Sequence, residues 1–385
     1  MALYEMRKFV APEFIFGVGA RHKVGHYARN MAAKRVLIVS DPGVLNAGWV
    51  AAAERDLSDM GIESVVFTSL TPNPKDHEVM CGVDFYTEHE CDVIVAVGGG
   101  SVIDCAKAIG IVITNGRHIL DFEGVDAVDL PGPPLICIPT TAGTSADISQ
   151  FCIILNTEEK YKASIISKTV VPDVALIDPE TTVTLDKHLT ACTGIDALTH
   201  AIEAYVSTAS SPIVDIHALT AMKLIWDNIE TAVVNPTKIE ARENMLLGSL
   251  QAGLAFSNAS LGAVHAMAHS LGGYLGLPHG ECNALLLDHI IRFNMPNAGG
   301  RYHQIAEALG LNTKGMTSSE CSKHITSMIN ELRKRVGIVS KLSLVGVNSS
   351  DIPFLASHAF NDACLVTNPR YATIGDIKAL YGEAM

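Results

Sequence analysis

Four short apolar runs in the first half of the chain constrain its fold more than any other feature. They are Arg35–Asp41, Glu63–Ser69, Asp92–Gly98 and Leu135–Pro139. Each is rich in β-branched residues and closes on glycine, proline, asparagine or a hydroxyl cluster, as a buried strand does. Between them, Val50–Met60, Val79–Glu90 and Val102–Ile113 carry helical spacing, with Gly61 placed as a C-cap. Strands that alternate with helices predict βαβ units and a mostly parallel sheet with right-handed crossovers. Phe151–Leu155 and Lys162–Ile166 read as a strand pair, and Val174–Ile177 as a further buried strand.

The texture changes near Thr184. Beyond it the pattern predicts helices over 188–206, 212–231, 238–256, 260–275, 283–294, 301–309, 320–336, 351–364 and 374–383. The expected architecture is therefore an α/β part over residues 1–183 and an all-helical part over residues 184–385. A length of 385 residues and a hydrophobic content of 48% supply the material for two large cores.

Two loops at strand ends point to a nucleotide. Val97-Gly-Gly-Gly-Ser101 joins a strand to a helix, where glycines let a ligand approach the backbone and the helix start favours an anion. Ser101 is expected to cap that helix, with Asp104 as its reciprocal partner. The pattern is neither G-x-G-x-x-G nor a phosphate-binding P-loop, and a tight turn without ligand explains it as well. Thr140-Thr-Ala-Gly-Thr144 lies at the end of the next strand, on the sheet edge where ligands bind in parallel folds. Asp41, at the end of the first strand, suits the ribose hydroxyls of an adenosine and would repel the extra phosphate of NADP. It suits equally a turn before Pro42-Gly43. Lys162 reads either as a phosphate partner or as a surface lysine on an edge strand.

The helical half carries a different chemistry. Gly262–Gly280 reads GAVHAMAHSLGGYLGLPHG, with three imidazoles in an apolar run. His265 and His269 are four apart, on one helix face, and His279 falls at a turn after that helix. Upstream, Asp196 and His200 are also four apart. Each pair alone suits an ordinary polar contact on a helix. Together, Asp196, His200, His265 and His279 make a one-carboxylate, three-imidazole donor set for Fe²⁺, Zn²⁺, Mn²⁺, Co²⁺ or Ni²⁺.

Composition excludes some partners. The formal net charge is −13, with 18% charged residues, which argues against nucleic acid and anionic membranes. No apolar run approaches the length of roughly 18 residues that a membrane helix needs. The opening MALYEMRKFVAPEFIF lacks the apolar centre of a signal peptide. Nine cysteines, an odd number without a C-x-x-C pair, suit free thiols in a reducing compartment. A soluble, cytoplasmic protein is expected.

With these residues on the page, the chain resembles the iron-containing (group III) alcohol dehydrogenase family over nearly its whole length. The resemblance rests on GGGSVIDCAKA, TGIDALTHAIEAY, the histidine-bearing Gly262–Gly280 and Asn368-Pro-Arg370. It implies a dehydroquinate-synthase-like fold with an N-terminal dinucleotide-binding domain, a C-terminal helical domain and a cleft between them. It implies that Asp196, His200, His265 and His279 ligate Fe²⁺ or Zn²⁺. It implies NAD surrounded by Asp41, Asn73, Gly98, Gly99, Gly100, Ser101, Thr140, Thr141, Thr144, Ser149 and Lys162, with Phe256 and Cys364 near the substrate. In one place the chain departs from the family. Members commonly read TTAGTGSE where this chain has TTAGTSAD, so Ser145 stands for a glycine and Ala146-Asp147 for Ser-Glu.

The expected reaction is reversible hydride transfer between a small primary alcohol and NAD⁺, giving the aldehyde. His269 is the candidate for a proton relay or for orienting the alcohol; a core histidine is the plain alternative. The competing functions are a diol or polyol dehydrogenase of the 1,3-propanediol or glycerol type, a lyase or synthase of the same superfold, and a non-catalytic NAD- and metal-binding redox sensor. A homodimer or larger homo-oligomer is implied by the resemblance.

Overall fold

A computed structural model of the chain describes residues 7–338 and 341–385. Of the opening stretch, residues 1–6 lie outside the described residues. The strands are β1 (Glu13–Phe16), β2 (Arg35–Val39), β3 (Glu63–Phe67), β4 (Val93–Gly98), β5 (Gly124–Val125), β6 (Leu135–Pro139), β7 (Phe151–Asn156), β8 (Tyr161–Ile166) and β9 (Val174–Ile177). Six of them form one sheet in the order β1-β9-β6-β4-β2-β3, with every pairing parallel. β7 and β8 pair antiparallel, as expected, and β5 joins them in a small second sheet. β1 and β5 had no signal in the sequence. β1 has four partly exposed residues and β5 has two, too few to show a period.

Among these strands lie α1 (Val24–Asn30), α2 (Pro42–Asn46), α3 (Trp49–Ser58), α4 (Asp76–Glu88) and α5 (Gly100–Asn115). The central strands β4, β6 and β9 are buried along their whole length. Alternate residues serve opposite faces. Val36, Ile38, Val93 and Val95 pack with Val24 of α1 and Leu57 of α3. Leu37, Val39, Ile94 and Ala96 pack with Val79 of α4 and with α5. A sheet covered on both faces explains why these strands read as unbroken apolar runs.

From Lys187 onward the described residues hold helices and no strand. The helices are α6 (Lys187–Val206), α7 (Pro212–Val234), α8 (Ile239–Ala259), α9 (Ala263–Leu275), α10 (His279–Ala308), α11 (Ser318–Arg335), α12 (Ile352–Asn361) and α13 (Ile374–Glu383). α6 is buried from Thr190 to Val206, so it runs through the centre of this half.

Three expectations shift. The separate helices over 283–294 and 301–309 lengthen until they meet with no loop between them, divided by a kink next to Pro296 where the missing N–H breaks a ladder bond and Ala298 leaves helical φ/ψ. The helix over 351–364 stops at Asn361, and Ala363–Thr367 continues as a 3₁₀ turn. His279 does not sit on a turn; it opens α10 directly after Pro278.

Candidate metal and nucleotide site

Four side chains converge on one oxygen. Asp196 Oδ1 lies 3.8 Å from His200 Nε2, 3.6 Å from His265 Nε2 and 3.8 Å from His279 Nε2. α6 brings Asp196 and His200 as neighbours one turn apart, α9 brings His265, and the first residue of α10 brings His279. Donor atoms of Asp196, His265 and His279 all lie within 4.8 Å of one another, a spacing that fits one ion. The rings of His200 and His265 stack at 4.5 Å.

The surroundings fit a metal better than a hydrogen-bond network. His200 Nδ1, His279 Nδ1 and Asn283 Oδ1 are buried without a partner. Such orphaned groups are costly unless the cluster has another reason to exist. Burial opposes ionisation of Asp196, but the imidazoles of His200, His279 and His265 outweigh it and hold the carboxyl below its usual range. Burial drives His200 down to about 3 and His279 well below the usual range, so both rings stay neutral and keep a lone pair. His265 goes the other way. Burial lowers it, yet hydrogen bonds to Asp196 and Glu203 raise it to about 9.

Two residues of this centre escaped the sequence reading. Glu203 Oε2 lies 2.5 Å from His265 Nδ1, and Glu203 also accepts from the Val264 and His265 N–H groups. It fixes the ring so that Nε2 faces Asp196. Asn283 Nδ2 donates to Asp196 Oδ1 at 2.6 Å. Their signal was present: Glu203 lies three residues after His200 in an apolar run, and Asn283 four after His279.

His269 is buried, one turn beyond His265. Its Nδ1 lies 2.8 Å from Asp362 Oδ2, and its ring stacks on His279 at 5.1 Å. The break after α12 delivers Asp362 to this position. Asp362 Oδ1 caps the following turn through the Cys364 N–H.

A cavity of about 100 Å³ begins at this cluster and runs to the strand ends. His200, His265, His269 and His279 line it on the helical side and Asn73, Gly100, Ser101, Thr144 and Ser149 on the strand side, with Lys162 close to the Asp196 and His279 group. Phe256, Phe151, Ile153, Leu155 and Leu261 form apolar wall between them. Phe256 stacks on the His200 ring at 4.3 Å. Asp41, Gly98, Gly99, Thr140, Thr141 and Cys364 are not among the lining residues. Cys364 is fully buried behind Asp362.

The nucleotide end differs in detail from the sequence reading. α5 starts at Gly100, with Gly99 as its N-cap and no side-chain cap. Ser101 instead accepts the Asn73 N–H at 3.2 Å, and Asn73 itself holds a positive φ of 59°. The three glycines do not adopt positive φ; they allow close approach. A Cβ on Gly99 would lie 3.0 Å from Thr141, and one on Gly100 2.7 Å from Thr144. Asp41 caps α2, with Oδ1 accepting from the Gly43 and Val44 N–H groups. Lys162 is no surface lysine: it is buried at the cavity, and burial lowers its ammonium against the pull of Cys282, Asp196 and Asp104.

The departing loop is built into both halves. Ser145 takes φ 48°, the left-handed region that glycine adopts freely. Its Oγ donates to the Ser249 carbonyl at 2.6 Å. A Cβ on Gly253 of α8 would sit 2.5 Å from the Ser145 Cβ, so the serine occupies room left by that glycine. Asp147 is buried, and burial raises its carboxyl to about 6 against its own backbone N–H and Lys107.

The chain was compared with known proteins. The iron-containing alcohol dehydrogenase domain matches residues 11–179, and the C-terminal domain of the Fe-containing alcohol dehydrogenase family matches residues 190–385. The chain is 38% identical to the NAD-dependent methanol dehydrogenase of Bacillus methanolicus, over 98% of its own length and 99% of that protein. It is 40% identical to alcohol dehydrogenase 4 of Schizosaccharomyces pombe, over 98% of this chain and 89% of that one. A crystal structure of 1,3-propanediol oxidoreductase superposes with a TM-score of 0.95 at 38% identity, covering 99% of this chain and 100% of that one. The chain belongs to the iron-containing alcohol dehydrogenase family, and it is an enzyme of the alcohol dehydrogenase kind.

Proposed function

We propose that the protein oxidises a small primary alcohol to its aldehyde, reversibly, with NAD⁺ as hydride acceptor. Residues 1–183 would hold the nucleotide and residues 184–385 the metal. One observation carries the reading: the His200, His265 and His279 imidazoles, grouped around Asp196, line the same cavity as Gly100, Ser101 and Thr144.

A divalent ion, Fe²⁺ first and Zn²⁺ next, would be held by those four side chains and supply Lewis acidity that favours the alkoxide form of an alcohol. The protein's own groups do the rest. Glu203 orients His265, and Asn283 steadies Asp196. The Asp362 carboxylate fixes His269 through Nδ1, which leaves Nε2 to accept the alcohol proton. Phe256 and Phe151 shed water from the path between carbinol carbon and nicotinamide. Gly99, Gly100, Thr140, Thr141, Thr144, Ser149 and Lys162 are the proposed surround of the pyrophosphate and nicotinamide, with Asp41 at the adenosine ribose.

The apolar wall of Phe151, Ile153, Leu155, Phe256 and Leu261 favours a monohydric alcohol over glycerol or a diol. Metal analysis of anaerobically purified protein, with NADH formation followed on methanol, ethanol, butanol, 1,3-propanediol and glycerol, tests the proposal. Metal-dependent NADH formation from a monohydric alcohol is expected. Turnover without net NADH, or none on any alcohol, would point to the synthase or sensor readings. No helix among the described residues is long and apolar enough to cross a membrane. A cytoplasmic enzyme is proposed. A homodimer or larger assembly is proposed as well, to be read by light scattering.

A further inference from the structure

The α6 face that presents Asp196 and His200 begins earlier. His188 and Cys192 precede them at the same four-residue spacing, so all four share one stripe. Opposite the first two stands Glu281, in the first turn of α10, two residues after His279. His188 Nε2 lies 3.6 Å from Cys192 Sγ and 3.5 Å from Glu281 Oε2, and all three donor atoms fall within 4.8 Å of one another. We propose that His188, Cys192 and Glu281 form a second divalent-metal site, selective for a borderline-soft ion such as Zn²⁺.

The spacing fits an ion. With Zn–N and Zn–O near about 2.0 Å and Zn–S about 2.3 Å, tetrahedral geometry places the donors roughly 3.3–3.5 Å apart. At 3.5 Å the His188–Glu281 contact is longer than a good N–H···O bond, and the same Nε2 lies at hydrogen-bond distance, 3.6 Å, from Cys192 Sγ, so the imidazole stands between the two other donors. Thiolate, imidazole and carboxylate together suit zinc and cobalt and disfavour Mg²⁺ or Ca²⁺. The His188 side chain is 52% exposed, against 11% for Glu281, so solvent reaches the fourth position from the histidine side.

The backbone frame is rigid. A Cβ on Gly280 would lie 2.0 Å from the Cys192 carbonyl oxygen, which shows how closely α6 and α10 meet here. An ion at this point would clip the first turns of the two helices that deliver Asp196 and His279. Burial pushes the Cys192 thiol up to about 12, aided by Glu281 and Asp196, so a bound ion would have to displace the thiol proton. The proposal depends on these three donors alone and stands whichever alcohol is the substrate.

The test is a Co²⁺ titration of chelator-treated full-length protein, anaerobic and reduced. The catalytic donors are nitrogen and oxygen, so they give no thiolate-to-cobalt charge-transfer absorption. The wild-type chain is expected to bind two equivalents and to show that absorption. Cys192→Ala and His188→Ala should each abolish it and lower binding to one equivalent. His188 is half exposed, so its variant reports even if the cysteine variant folds poorly. Absence of the band in the wild type, or a band that survives both replacements, would overturn the site, whereas a single equivalent that carries the band would count against the Asp196, His200, His265 and His279 centre. A surviving band would point to Cys364, which lies beside His269 and Asp362.

Discussion

The two ends of the cavity are built by different means. The proposed metal end is made of side chains: three imidazoles meet at one carboxylate oxygen, and Glu203 and Asn283 hold His265 and Asp196 in place. The nucleotide end is made of backbone: Gly99 and Gly100 lie against Thr141 and Thr144, and Asn73 and Ser145 turn the chain through positive φ. A side-chain site fails when one functional group is lost. A backbone site fails when something is added.

Removal at the metal end should therefore give the largest effect. His279→Ala is expected to lose bound metal and turnover together, by at least about 1,000-fold in rate, since a Lewis acid supplies several kcal/mol. Metal content and NADH formation measured on one preparation check this, and full activity would remove His279 from the donor set.

At the other end, Asp147 tests what a buried carboxylate costs the loop. Its folded pKa of about 6 stands above the ordinary 3.8, so its contribution is most favourable below about pH 4 and is lost as pH rises through 6. Asp147→Asn escapes that loss. The variant should gain up to about 3 kcal/mol in urea unfolding at pH 7.5 and less at pH 5. An equal difference at both pH values would contradict the cause.

Glu203→Gln keeps the shape but weakens the hold on His265, and metal affinity should fall about 10–100-fold, as for other partners of ligating histidines. Competition with a chelator measures it. An unchanged affinity would mean that α9 alone fixes the ring.

Addition at the backbone end should give the smallest change. Gly100→Ala places a methyl 2.7 Å from Thr144 and is expected to raise the KM for NAD about tenfold with little change in bound metal, consistent with overpacking costs of about 1–3 kcal/mol. Thr144→Ser, which removes Cγ2, should restore part of it. If Gly100→Ala lowers metal content instead, the two ends are not independent.

The same contrast explains what could be read in advance. Residue type, and four-residue spacing for Asp196/His200 and His265/His269, single these residues out without coordinates as candidates, and the structure brings Asp196, His200, His265 and His279 together. Buried strands β2, β4, β6 and β9 are visible too: burial on both faces leaves an unbroken apolar run. Contacts between distant residues are not visible. Asp362 reaches His269 across 93 positions, and only the break after α12 puts it there. Ser101 looks like a cap because the spacing predicts a helix from Val102, two residues later than its start at Gly100. The helices expected over 283–294 and 301–309 are still divided by the kink at Pro296 and Ala298, although no loop separates them.

Ser145 and Gly253 share a space that holds one side chain. The two positions therefore cannot drift freely. A larger residue at 253 is harmful while Ser145 is present and becomes tolerable once position 145 is glycine. The order of changes at the two positions then decides which pairs of residues are reachable.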